Sequence, residues 1–228
     1  MQADETVRRR YTRVAIVLHW TIAALIVSNL MVGPAMGWVK GPTYLFLLRT
    51  HESFGITVLL LSLVRIAWRL THRPPPFEPG ISRLEKIAAH IVHFSLYALM
   101  IVMPIVGWGI VSANPSSTAE ARKSVEIASQ VIEKATGQKV RFRSGQPVFH
   151  LYGIIPWPVI TPIRSLGETP DGVIDQLELH EQFVVAHTVG AFMLLGLALL
   201  HIAGALKHQL VDRQPQLTRM GIGRGRSR

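Results

Sequence analysis

The stretch "VAIVLHWTIAALIVSNLMVG", Val14 to Gly33, decides the fold. Twenty residues without a formal charge are long enough to cross a bilayer as a helix. His19 nevertheless sits near its start among apolar neighbours. A polar ring at such depth is costly and by default marks a functional site. The pattern returns three times. With the first span at about 14–39, further spans are expected at about 51–70 ("HESFGITVLLLSLVRIAWRL"), 87–111 ("IAAHIVHFSLYALMIVMPIVGWGIV") and 182–206 (opening "QFVVAHTVGAFMLLGLALL"). These predict an all-α, single-domain, four-helix transmembrane bundle, with Pro104 expected to kink the third helix.

Composition supports this. The 228 residues are 49% hydrophobic yet carry a formal net charge of +10, and the mean hydropathy is +0.30. Small multi-span membrane proteins combine those features routinely, whereas soluble domains rarely do. The basic residues form short clusters between apolar runs and build no reading helix, so no nucleic-acid partner is expected. The chain has no cysteine, which removes disulfides, thiolate metal sites, iron–sulfur clusters and c-type haem attachment. A redox cofactor would depend on the ten histidines or on methionine. The first apolar run exceeds a signal-peptide core of about 7–15 residues and is read as a retained span.

Charge sets the expected orientation. Fifteen of the 24 Lys and Arg, against five of the 14 acidic residues, fall in the N-terminus, around the connection between spans two and three, and in the C-terminal tail. The positive-inside rule then places both termini in the cytoplasm. Trp38 and Trp108 would mark the outer interface, and Trp68 the inner one. The periplasmic loop, about 112–181, has room for structure. Within it "SSTAEARKSVEIASQVIEKATG" reads as an exterior helix, with Ser117 and Glu120 at capping-box spacing and Gly137 as its stop. "PVFHLYGIIPWPVITP" is apolar but too broken by proline to span, and is expected at the interface. The tail, about 212–228, is expected to be disordered.

The histidines sort by depth. His19 lies six residues inside Arg13 and His201 six before Lys207, whereas His51 and His187 lie near the opposite face. His187 and His201 are fourteen residues apart on one helix, within roughly 40° of the same face and about 21 Å apart along the axis. Span four can therefore offer an imidazole in each leaflet, opposed by spans one and two. A lone intramembrane histidine commonly makes only an interhelical hydrogen bond. Four paired by depth suit the two axial positions of two haem irons, and helix bundles build such sites from facing helices. Zinc would want four ligands. Gly55 and Gly190 fall on the faces of His51 and His187 and would admit a flat macrocycle, although membrane helices also use glycine for packing. His90 and His93 on span three read as neighbours of the inner site or quinone contacts. His72, His150, His180 and His208 read as surface or interfacial residues.

The segments "RYTRVAIVLHW", "HESFGI", "AHIVHFSLYALMIVMPIVGW" and "AHTVGAFMLLGLALLHIAGAL" resemble the bacterial cytochrome b561 family of four-span, di-haem membrane cytochromes. The resemblance implies two haems b, with His19 and His201 ligating the inner iron and His51 and His187 the outer. It further implies a multi-pass protein of the bacterial inner membrane, surrounded by lipid, exchanging electrons with ubiquinone in a respiratory chain. Some members oxidise superoxide, which would make the chain a superoxide:ubiquinone oxidoreductase. The long outer loop departs from the shortest members and bears on the periplasmic partner, a small electron donor or a redox protein. Arg13, Arg65 and Arg69 would hold inner propionates or meet anionic lipid. Two other classes compete: a haem-bearing membrane anchor for a separate periplasmic redox protein, and a haem-free transporter using the histidines.

Overall fold

The computed structural model describes residues 10–78, 80–138 and 149–223. Four long helices dominate it: α1 (Arg13–Ala35), α2 (Gly41–Thr71), α3 (Arg83–Ser112) and α6 (Pro170–Leu210). All four are long and apolar enough to cross a membrane. Between α3 and α6 lie α4 (Ala119–Thr136), a two-stranded hairpin of β1 (His150–Leu151) and β2 (Ile155–Pro156), and the short α5 (Thr161–Arg164). A last short helix, α7 (Gln216–Arg219), follows α6.

α2, α3 and α6 are longer than the apolar runs, whereas α1 ends at Ala35, short of the expected 39, and passes into a 3-10 turn over Met36–Trp38. α2 begins ten residues before the expected span, at Gly41, whose φ of +62° suits glycine, with Pro42 behind it. Arg49 and Thr50 interrupt the hydropathy but not the helix. α3 begins with a reciprocal cap. The Ser82 amide donates to Glu85 Oε2 at 2.9 Å, and the Glu85 amide donates to Ser82 Oγ at 3.2 Å. α6 starts at Pro170 and runs 41 residues, about 60 Å at ~1.5 Å per residue. That is twice the hydrocarbon thickness of about 30 Å, so part of α6 projects beyond it. α3 continues through Pro104. Between α3 and α6, Thr118 rather than Ser117 caps α4, accepting from the Ala121 amide at 3.2 Å, and Gly137 ends it at φ 70°.

Contacts divide the chain into two compact units. The first comprises Met1–Met31, Thr57–Ile101 and Ala191–Arg228; the second comprises Val32–Ile56 and Val102–Gly190. In the first, Ile22, Val58 and Met100 form a buried cluster bordered by Leu25, Ile26, Leu61 and Tyr97. Phe94 remains 76% exposed on its outside, as a face that meets lipid should. The C-terminal segment, expected to be disordered from about 212, is folded here as far as it is described. Arg219 is 6% exposed, donates to the Pro76 carbonyl at 2.5 Å and pairs with Glu78 at 3.4 Å. Trp20 Nε1 donates to the Met220 carbonyl at 2.9 Å. These partners lie far away in sequence, so composition alone gave no sign of them.

In the second unit, side-chain hydrogen bonds tie together the described residues between α3 and α6. Gln176 is fully buried and donates to the Ile163 and Arg164 carbonyls at 2.8 and 3.2 Å. Ser124 Oγ donates to the Glu168 carbonyl at 2.8 Å. Gly172 permits the turn into α6, since an added Cβ would fall 2.0 Å from the Leu166 carbonyl oxygen. Arg164 reaches the Val111 and Pro115 carbonyls at 3.4 and 3.5 Å, and burial pushes its guanidinium down from the usual arginine range.

Candidate functional site

Within the first unit, α1 and α6 bring His19 and His201 together. Their ring centres stand 6.1 Å apart at an interplanar angle of 76°. Both rings are half-buried. A third imidazole, His93 on α3, lies 4.9 Å from His201 and directs its Nδ1–H to the Ala89 carbonyl at 2.5 Å. One turn further along α3, Tyr97 accepts a hydrogen bond on its hydroxyl from Arg65 Nε at 2.9 Å. The Arg65 and Arg69 guanidinium carbons lie 5.8 and 5.9 Å from the Tyr97 ring centre. Cations in a spanning helix are costly and seek a partner. Among the described residues, neither arginine has a carboxylate within salt-bridge distance.

Within the second unit, α2 and α6 bring His51 and His187 together, with ring centres 6.0 Å apart and planes at 69°. Two glycines lie against these rings. A Cβ built on Gly33 of α1 would fall 3.6 Å from His51 Cε1, and one on Gly107 of α3 would fall 3.3 Å from His187 Cε1. Gly190 serves another purpose: Met103 fills the space over it, with Sδ 2.2 Å from where a Cβ would lie. Gly33 and Gly107 sit on helices other than those of the imidazoles they contact. Spacing along α2 and α6 could not reveal them.

The remaining histidines have local partners. His90 donates from Nδ1 to the Lys86 carbonyl at 2.6 Å, with the Phe77 ring at 5.3 Å. His72 stacks on Trp68 at 3.8 Å. His180 Nδ1 lies 3.2 Å from the Ile110 carbonyl. His150 is exposed on β1. His208 donates to Asp212 at 2.6 Å, and Lys207 bonds both Asp212, at 2.8 Å, and Glu85. Among the described residues, the ligand atoms of Glu85, His208 and Asp212 converge as a group of three, whereas the intramembrane imidazoles do not. The Lys207 ammonium already occupies both carboxylates of that group. Even where His93 stands beside the His19–His201 pair, the three rings do not bring a ligand atom each to one point, which is poor geometry for a three- or four-ligand zinc ion.

The family model described as prokaryotic cytochrome b561 matches residues 10–223. Among curated proteins, the chain is 28% identical over 109 residues to the probable superoxide oxidase CybB of Yersinia pestis, covering 48% of this chain and 62% of that protein. It is 28% identical over 113 residues to cytochrome b561 homolog 2 of Escherichia coli K12, covering 46% and 57%. It is 34% identical over 113 residues to cytochrome b562 of Cereibacter sphaeroides, covering 43% and 66%. The matches thus span about three fifths of each relative's length.

Proposed function

Because this chain belongs to the prokaryotic cytochrome b561 family, we propose that it is a di-haem cytochrome carrying single electrons between a small periplasmic donor and the membrane ubiquinone pool. Membership implies b-type haem, and four spanning helices make this a bacterial membrane protein in a lipid environment. In the proposal His19 and His201 hold one haem, on the cytoplasmic side, and His51 and His187 hold the other. The membrane is the inner one and both termini are cytoplasmic.

The ring spacing carries the reading. Two metal–imidazole bonds of about 2 Å on opposite sides of one ion set the ring centres about 6 Å apart. The two pairs stand at 6.1 and 6.0 Å. His93, at 4.9 Å from His201, is too close to share an iron with it across a macrocycle, so it is a neighbour of the site. Held by His19 with His201 and by His51 with His187, each haem would supply one-electron transfer chemistry.

The chain's own residues do the rest. Gly33 and Gly107 let backbone lie against His51 and His187 and hold the rings in one orientation. Arg65 and Arg69, braced on Tyr97, supply positive charge beside the His19–His201 pair for the acidic edge of a haem. Apolar side chains such as Ile22, Val58 and Met100 keep water out of that unit, which strengthens each of these electrostatic interactions. Superoxide is the candidate donor, in keeping with the name of the Yersinia relative. Stopped-flow mixing of the purified protein with superoxide tests this reading. Rapid haem reduction, followed by reoxidation only when ubiquinone is present, is expected. Haem that stays oxidised with superoxide, or is not reoxidised by ubiquinone, overturns it.

A further inference from the structure

We propose that the tip of the β1–β2 hairpin is a lipid anchor, inserted at the membrane interface in the leaflet that holds His51 and His187. Residues 149–163, "FHLYGIIPWPVITPI", contain no Asp, Glu, Lys or Arg. One face of the hairpin is accounted for by protein. Phe149 and Leu151 are buried with Ile56 of α2, alongside Val111 and Trp157. The other face is exposed: Ile154 and Ile155 are 78% and 56% exposed, and Tyr152, whose ring lies 6.4 Å from that of Phe54, is 52% exposed. A contiguous apolar tip of this kind marks an interaction surface.

Lipid is the occupant that suits a charge-free tip whose turn amides are paired within the protein. Three successive turn amides have acceptors without water. Tyr152 donates to Ser53 Oγ at 2.9 Å, Gly153 to the His150 carbonyl at 2.9 Å, and Ile154 to the Leu151 carbonyl at 3.1 Å. Non-helical backbone survives beside hydrocarbon only when its polar groups are paired within the protein. The residue choice agrees with this. Tyr152 holds a φ of 53°, where glycine or asparagine would sit more easily, and tyrosine is a residue of the membrane interface. The hairpin is also fastened to Ser53 and Ile56 of a helix long and apolar enough to span, which holds its exposed tip beside that helix. Ser53 follows His51 by two residues, and the anchor therefore braces the turn of α2 that carries that imidazole. The inference rests on the membrane fold and stands whether or not the haem assignment does.

The absence of cysteine allows single-site labelling. Ile154→Cys and Ile155→Cys, each bearing a nitroxide, would be compared in phospholipid nanodiscs with two controls: Lys123→Cys on the exposed face of α4 and Val189→Cys on the exposed face of α6. All four positions are exposed, so the substitutions cost little packing. Both hairpin labels should collide with oxygen as the Val189→Cys label does, and several-fold less with a water-soluble nickel chelate than the Lys123→Cys label. Collision rates matching Lys123→Cys would overturn the proposal, because the tip would then be in water. Shielding from both quenchers would also overturn it, because the tip would then be packed against protein.

Discussion

His187 and Gly107 show how little tolerance the candidate sites have. A Cβ on Gly107 would stand 3.3 Å from the His187 ring, whereas one on Gly33 would stand 3.6 Å from His51. The second distance is ordinary van der Waals contact; the first requires the ring to give way. Gly107→Leu is therefore expected to displace His187 and cost the protein the haem assigned to His51 and His187, read as haem per polypeptide with the low-spin spectrum of the other retained. Gly33→Ala should leave both haems in place. The proximity of His19 to His201 and of His51 to His187 was legible in the sequence because an imidazole inside an apolar run is conspicuous and helical rise gives its depth. The glycines that touch them were not. Contact across helices depends on how each helix is rotated, and the positions guessed from spacing included Gly190, which Met103 fills.

At the scale of elements, hydropathy located the spans and capping chemistry set their ends. The apolar pattern of α2 and α6 stops well inside the helices because Arg49, Thr50 and the acidic first turns of α6 are polar without being helix-breaking. The exterior helix was legible from its periodicity and from Gly137, although its cap shifted by one residue to Thr118. Losing that cap should cost about 1 kcal/mol, so Thr118→Ala should speed hydrogen exchange in the first turn of α4 and leave the haem spectrum unchanged. After α6, the hydrogen bond from Lys207 holds the Asp212 carboxyl below its ordinary range, with the His208 contact adding to it. A carboxyl held down in the folded state adds stability above its ordinary value near 3.9, and that stability is lost as pH falls through the lowered value. The joint between α6 and α7 should therefore stay protected from exchange at mildly acidic pH and open only under strongly acidic conditions. In Asp212→Asn the protection should be weaker at neutral pH and lack this acid transition.

For the molecule as a whole, sequence alone conveyed the membrane class, since strong hydropathy, a +10 charge and no cysteine leave few alternatives. It did not convey the folded C-terminal segment, which is held by contacts from Arg219 and Met220 to Pro76, Glu78 and Trp20. Nor did it convey the hairpin between α4 and α5. The intramembrane arginines belong to this scale because their charge acts at a distance. Arg65→Gln should lower the midpoint potential of the haem assigned to His19 and His201, by an amount of order 1 kcal/mol for a unit charge in a protein medium, and Arg65→Lys should restore most of it. Spectroelectrochemical titration reads both. The central claim, that imidazoles pair two by two about separate haems, is tested most directly by haem stoichiometry in two single variants. His187→Ala and His201→Ala should each retain the helical fold and one low-spin haem, with the two losing spectrally different components. If both variants kept two low-spin haems per chain, or the unaltered protein purified without haem, the claim would be contradicted.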